Sequence, residues 1–126
     1  MKKETKIFLK RADSFIKDSL VDLERKDFDL AMFHIEQACQ LIIKAKLLDL
    51  TGYFRKTHNL RELLKDLAKI FKRSEINKFI EERWNTLRNL EFSYISSRYL
   101  AEEFRKEEVE SALEIYEKLK KLLWTS

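Results

Sequence analysis

The chain has 126 residues, of which 38% are charged and 44% hydrophobic, and its 26 basic and 22 acidic side chains leave a net charge of +4. This composition is too apolar for a disordered chain, and one glycine without any proline is too few turn residues for a protein built of β-hairpins. One cysteine excludes an internal disulfide, two histidines argue against a zinc site, and no apolar run approaches the ~18 residues of a membrane span.

Length and charge pattern set the first expectations about organisation. A chain of this size is expected to form a single domain over residues 1–126. Its charged amino terminus lacks the apolar core of a signal peptide, so we expect a cytoplasmic location, and we expect neither a metal nor a cofactor. The interleaved charges predict mostly solvated helix faces, with a patch that holds phosphate or an acidic partner as the alternative.

Apolar residues recur at helical spacing in five segments, which predict helices over about residues 4–25, 28–50, 59–72, 75–96 and 106–124. Asp27, Asn59 and Ser74 stand where N-caps are expected, and Asn59 with Glu62 resembles a capping box. Gly52 follows the second helix where a left-handed C-cap is expected. Short loops favour antiparallel neighbours, so the predicted fold is all-α, an up-and-down bundle of four to five antiparallel helices.

The second predicted helix is apolar around most of its circumference, which indicates either the central helix of the bundle or a subunit interface. On this helix we interpret His34 as a satisfied core or interface histidine and Cys39 as a small apolar filler. Trp84 on the fourth helix is predicted to be a core aromatic. Glu36 and Glu91 could pair at a metal, but glutamates on wet helical faces are the favoured interpretation.

In three segments, at residues 28–48, 57–60 and 94–99, the chain resembles the HEPN family, the higher eukaryotes and prokaryotes nucleotide-binding domain. The run from Phe28 to Ala38, continued by Ile42 to Leu48, is similar to the signature of the family's second helix. Thr57-His58-Asn59-Leu60 resembles the Thr-His-Asp/Asn-Leu segment that opens the third helix. Tyr94-Ile95-Ser96-Ser97-Arg98-Tyr99 resembles the Tyr-x-x-x-Arg-Tyr segment that ends the fourth helix.

The resemblance implies a helical bundle that forms a symmetric homodimer. It also implies a prokaryotic partner, a minimal nucleotidyltransferase, often in a toxin–antitoxin pair. Some members of the family are ribonucleases, which carry an arginine, four to six intervening residues and then a histidine. Others lack this motif and bind an ATP-like nucleotide or a protein partner without cutting RNA.

The ribonuclease motif is incomplete in this chain. Arg88-Asn89 stands as the family's Arg-Asn does, but the positions open to the histidine hold Ser93, Tyr94 and Ile95. Arg88 could stabilise a phosphorane, whereas Ser93 is a poor base at neutral pH. We therefore predict a non-catalytic, homodimeric module that binds a nucleotide, a nucleotidyltransferase partner, or both.

The alternative is a divergent ribonuclease that uses Arg88 with a histidine from elsewhere in the fold, His34 or His58. Arg88 and a histidine meeting in a cleft would favour this enzyme, and a salt-bridged Arg88 on a surface would count against it. RNA binding is expected less than nucleotide binding.

The candidate residues for contact with a nucleotide or partner are His58, Lys56, Arg88, Arg98, Tyr99 and Lys44. His58 lies at a helix start, where free N–H groups favour a phosphate, and helix capping is the favoured alternative. Arg98 is expected to bond the last carbonyls of the fourth helix, with Tyr99 packed below it. Phosphate binding and base stacking by this pair is the alternative.

Overall fold

The structure is a computed structural model that describes residues 1–99 and 103–125, without the side chains of residues 97–99. The described residues form helices and contain no strand, which confirms the predicted all-α bundle. The helices are α1 (Lys3–Glu24), α2 (Phe28–Thr51), α3 (Leu60–Ala68), α4 (Arg73–Glu82), α5 (Trp84–Tyr99) and α6 (Lys106–Trp124). Within this part of the chain, no helix combines the length and apolar character that crossing a membrane requires.

Helix α2 is the central helix of the bundle. This agrees with the first of the two interpretations of its broad apolar surface, a central helix or a subunit interface. It packs against α1, α3, α5 and α6. Its side chains at Ile35, Ala38, Ile42 and Ala45 are fully buried, as the broad apolar arc predicts. Leu30, at the start of that arc, is an exception because it is 43% exposed.

The fourth predicted helix is two helices in the structure. The break lies at Arg83, whose φ of −115° and ψ of 20° are not helical, so the described residues form six helices rather than four to five. The first piece, α4, packs on α3, and the second, α5, packs on α2. A change of direction at Arg83 lets each piece bury its own apolar side against a different neighbour. The predicted N-cap at Ser74 is wrong, because the N-cap of α4 is Lys72, two residues earlier, and the helix begins at Arg73.

Other helix ends follow the sequence more closely. The side chain of Asn59 accepts a hydrogen bond from the Glu62 N–H at 2.9 Å, which confirms the predicted cap of α3. Gly52 ends α2 in the left-handed conformation, with φ of 78°. Asp27 stands at the N-cap of α2, but its side chain forms no capping bond.

Two expectations about burial are wrong. Trp84 is 41% exposed and lies beneath the Arg61 guanidinium, 4.3 Å from its ring centroid. Glu36 is fully buried and accepts hydrogen bonds from the side-chain amides of Gln37 and Gln40. Burial raises the pKa of Glu36 to about 7, against the lowering effect of these amides and of Lys44.

Two polar side chains on α2 are placed as the sequence predicts. His34 Nδ1 lies 2.5 Å from Asp22 Oδ2 on α1, and the imidazole stacks on Phe15. Cys39 is fully buried, and burial raises the pKa of its thiol, which disfavours the reactive thiolate.

Candidate functional site

One ion pair fixes the start of α3 against α5. Arg61 donates from Nε and Nη2 to the two carboxylate oxygens of Glu91, each at 2.8 Å, and its backbone N–H donates to Glu91 Oε2 at 3.1 Å. Both side chains are mostly buried. A forked pair of this kind holds two elements in one relative position, so the segment 57–59 lies beside the middle of α5.

A pocket of about 460 Å³ opens between this segment and α5. It is lined by Thr57, His58, Asn59, Arg88, Glu91, Phe92, Tyr94 and Ile95. The volume lies within the range of ligand pockets in proteins. Two of the six predicted candidates, His58 and Arg88, thus share one pocket although 30 residues separate them in the chain.

The His58 and Tyr94 rings form one wall of the pocket. Their centroids are 4.1 Å apart with an interplanar angle of 21°, and a 3.0 Å hydrogen bond joins Tyr94 Oη to His58 Nε2. The stack and the hydrogen bond together fix the orientation of the imidazole. His58 is therefore held by Tyr94, and the capping role expected for it belongs to Asn59.

Arg88 supplies the positive charge of the pocket. Its side chain is exposed on α5 and forms no ion pair with a carboxylate among the described residues. The nearest acidic residue along this face of α5, Glu91, is already held by Arg61. The guanidinium of Arg88 is thus available to an anion in the pocket.

A family model of the HEPN domain matches residues 5–124, nearly the whole chain. The chain belongs to the HEPN family. No curated protein and no solved structure matches it. HEPN domains are generally related to nucleotides or RNA, and the Thr57–Leu60 segment and Tyr94, which carry the family resemblance, both lie at the pocket or its edge.

The first turn of α3 does not offer the phosphate site that the sequence suggests for this HEPN domain. Its Arg61 N–H donates to Glu91, and its Glu62 N–H donates to Asn59. With these two N–H groups occupied, a carboxylate already sits where a phosphate would bind. An anion in the pocket would instead meet the side chains of Arg88 and His58.

Two further candidates, Lys56 and Lys44, do not line the pocket. Lys56 is exposed. Lys44 is half-buried on α2 with its Nζ 5.4 Å from the Phe54 ring centroid, and burial lowers its pKa against the opposing effect of Glu36. The side chains of Arg98 and Tyr99 lie outside the described residues.

Ser93 is one of the three positions, with Tyr94 and Ile95, that the spacing of the ribonuclease motif leaves open to its histidine. It is fully buried, and its hydroxyl donates to the Leu90 carbonyl at 2.6 Å. Position 93 therefore faces the core of the bundle, away from the open side of α5 where Arg88 lies.

Sequence reasoning did not identify the aromatic residues and Asn59 as parts of one pocket. The sequence feature that could have grouped part of the pocket is the helical spacing on α5, which puts four residues on one face: Arg88, Glu91, Phe92 and Ile95. That spacing groups these four residues, but it does not show which segment packs opposite them.

A larger hollow of about 590 Å³ lies between the start of α2 and residues 103–104. Three carboxylates, Asp27, Asp29 and Glu103, line it, and Asp29 accepts a hydrogen bond from the Phe104 N–H at 2.7 Å. These negative charges disfavour a phosphate there. Within the described residues no three His, Cys, Asp or Glu side chains are placed to hold a metal ion.

Proposed function

We propose that this HEPN domain is a non-catalytic module that binds a nucleotide in the pocket between the 57–59 segment and α5. The proposal is carried by Arg88. In the described structure this arginine has no carboxylate partner, and it lies in a pocket with aromatic walls. In this arrangement Arg88 binds the phosphate, and the base lies against the rings of His58, Tyr94 and Phe92.

The chemistry of these groups suits a nucleotide. A guanidinium presents parallel N–H donors that match two phosphate oxygens. Phe92 is 41% exposed and so offers a flat surface to a base beside the stacked rings of His58 and Tyr94. Stacking a base on an aromatic side chain contributes about 1–3 kcal/mol and tolerates any base.

The buried position of Ser93 supports the non-catalytic part of the proposal. A general base must reach the proton that it removes. The Ser93 hydroxyl is enclosed and bonded to Leu90, so the family's usual pair of arginine and histidine on one helix is not reproduced.

Calorimetric titration with ATP tests the binding proposal. We expect Arg88→Ala to weaken ATP binding at least tenfold, because removing a charged hydrogen-bond donor to phosphate costs about 1.5–3 kcal/mol. Arg11→Ala, which removes an exposed arginine from α1, is the matched control and should bind as the wild type does. A wild-type protein that binds neither ATP nor AMP would refute the proposal.

A divergent ribonuclease is the second candidate, because Arg88 and His58 line one pocket and Arg88 has no carboxylate partner in the described structure. In this function His58 accepts the proton of the attacking 2′-hydroxyl, Arg88 stabilises the phosphorane, and Tyr94 orients His58. Cleavage of a short RNA in the presence of a chelator, lost in both Arg88→Ala and His58→Ala, would support this enzyme. Intact RNA with the wild-type protein would exclude it.

We further propose that the module is a homodimer and docks a minimal nucleotidyltransferase. HEPN domains often dimerise. Phe92 and Ile95, 41% and 53% exposed, form an apolar patch at the pocket rim. A symmetric contact through this patch would place two pockets side by side.

A further inference from the structure

Two stripes of side chains lead away from the pocket along the surface of α3 and α5. Every fourth residue is basic at Arg61 and Lys65 on α3 and at Lys69, the C-cap residue that follows this helix. On α5, Trp84 lies one turn before Arg88. The stripes lie side by side, because Arg61 bonds Glu91 while Arg61 and Lys65 both lie over Trp84, at 4.3 and 5.7 Å from its ring centroid.

Arg61 is neutralised by its ion pair with Glu91, but the other positive charges of these stripes have no acidic partner in the described structure. Lys65, Lys69 and Arg88 form no ion pair within residues 1–99 and 103–125. The acidic side chains of α3, Glu62 and Asp66, are both within 4 Å of the Arg55 guanidinium. The surface between α3 and α5 therefore carries an excess of positive charge, which attracts a polyanion.

Trp84 adds a partly exposed aromatic ring to this basic surface, with Arg61 and Lys65 lying over it. It is 41% exposed, although an indole is usually found mostly buried. Successive basic residues on α3 rise by about 6 Å along the helix axis, four residues at 1.5 Å each. Cations at regular intervals beside an exposed ring are the features with which proteins hold single-stranded nucleic acid, through phosphate contacts and base stacking.

We propose that the surface formed by Arg61, Lys65, Lys69 and Trp84 is a track for single-stranded nucleic acid that begins at the Arg88 pocket. This inference rests on the proposed nucleotide pocket and extends it from one nucleotide to several. The first nucleotide lies at Arg88 and His58, the next base stacks near Trp84, and the following phosphates contact Lys65 and Lys69.

Exposed lysines are common on helices, and α1 offers a direct comparison. Lys6 and Lys10 are exposed with the same four-residue spacing as Lys65 and Lys69. No exposed aromatic ring lies on α1, and α1 contributes no residue to the pocket. The two lysine pairs are thus matched in charge and spacing and differ in the features that the proposal uses.

Fluorescence anisotropy with labelled oligouridine of six nucleotides, and calorimetry with AMP, test the track. We expect the wild type to bind the hexanucleotide more than tenfold more tightly than AMP. Neutralising Lys65→Gln with Lys69→Gln should remove most of this gain and leave AMP binding within twofold. The salt dependence should fall by about 1.4 in logarithmic slope, as expected for two lost phosphate contacts. Lys6→Gln with Lys10→Gln should change nothing.

The outcomes separate the track from the pocket. If AMP binds and the hexanucleotide binds no more tightly, or if both double variants behave alike, the track is overturned and the pocket stands. If the hexanucleotide binds through Lys65 and Lys69 while AMP does not bind, the pocket fails and the track stands. Binding of neither refutes both. Equal lysine-dependent binding of a hexaglutamate peptide would overturn the nucleic-acid assignment in favour of an acidic protein.

Discussion

At the scale of single residues, Glu36 couples the stability of the bundle to pH. Its carboxyl is fully buried on α2, and its pKa in the folded state is about 7 against 4.5 ordinarily. Between these two pH values the folded state holds a proton that the unfolded state releases, so stability falls as pH rises from 4.5 to 7. The loss is on the order of 3 kcal/mol, because each pKa unit corresponds to ~1.4 kcal/mol.

Glu36→Gln should remove this loss. Glutamine carries no charge into the core and keeps an acceptor oxygen for one of the two amides, and the other amide can turn its own oxygen toward the new NH2 group. We expect urea unfolding to show the variant more stable than the wild type at pH 8 and nearly equal to it at pH 4.5. Glu110→Gln on the exposed face of α6 is the control. A wild type whose stability rises between pH 5 and pH 7 relative to Glu36→Gln would contradict the assignment.

At the scale of elements, α6 is attached to α2 by an aromatic clamp at its carboxyl end. Trp124 Nε1 donates to the Ile42 carbonyl at 3.0 Å. Lys46 Nζ lies 4.6 Å from the ring centroids of both Trp124 and Phe71, so its ammonium bridges α6 and the segment between α3 and α4. The clamp joins the last helix of the chain to the central one.

Trp124→Ala should therefore destabilise the protein by about 2 kcal/mol, somewhat less than the ~3–5 kcal/mol of a fully buried tryptophan, because this ring is half-buried. We expect the melting temperature to fall by about 6–10 °C, measured by circular dichroism. Trp84→Ala is the matched control, since Trp84 is 41% exposed and should cost less than about 1 kcal/mol. Equal losses in the two variants would show that the clamp does not hold α6.

The same scale shows how far the sequence determines the fold. The apolar arc of α2 predicted either a central helix or a subunit interface, and the structure shows the first, while Asn59 and Gly52 predicted a helix start and a helix end. The break at Arg83 was not predictable, because apolar residues continue at helical spacing across it and no glycine or proline marks it. It depends on tertiary packing, since α4 and α5 bury their apolar sides against different helices.

At the scale of the whole molecule, the pocket depends on contacts that local sequence patterns do not contain. His58 and Arg88 were predicted as separate candidates. The Arg61–Glu91 pair, 30 residues apart in the chain, fixes α3 against α5 and so brings His58 and Arg88 to one pocket. Periodicity identifies one face of a helix but not the face opposite it, which is why Tyr94 was not predicted as a partner of His58.

We expect two chains to form a homodimer, because the chain belongs to the HEPN family and the rim of its pocket is apolar. Ile95 is 53% exposed, so Ile95→Glu should leave the fold of one chain intact while placing a charge in the proposed symmetric contact. Light scattering should give twice the chain mass for the wild type and the single mass for this variant, with little change in helical content. Val21→Glu, at a 45% exposed apolar position on α1, should stay dimeric. A monomeric wild type would refute the dimer, and an Ile95→Glu dimer would move the interface to another face of the bundle.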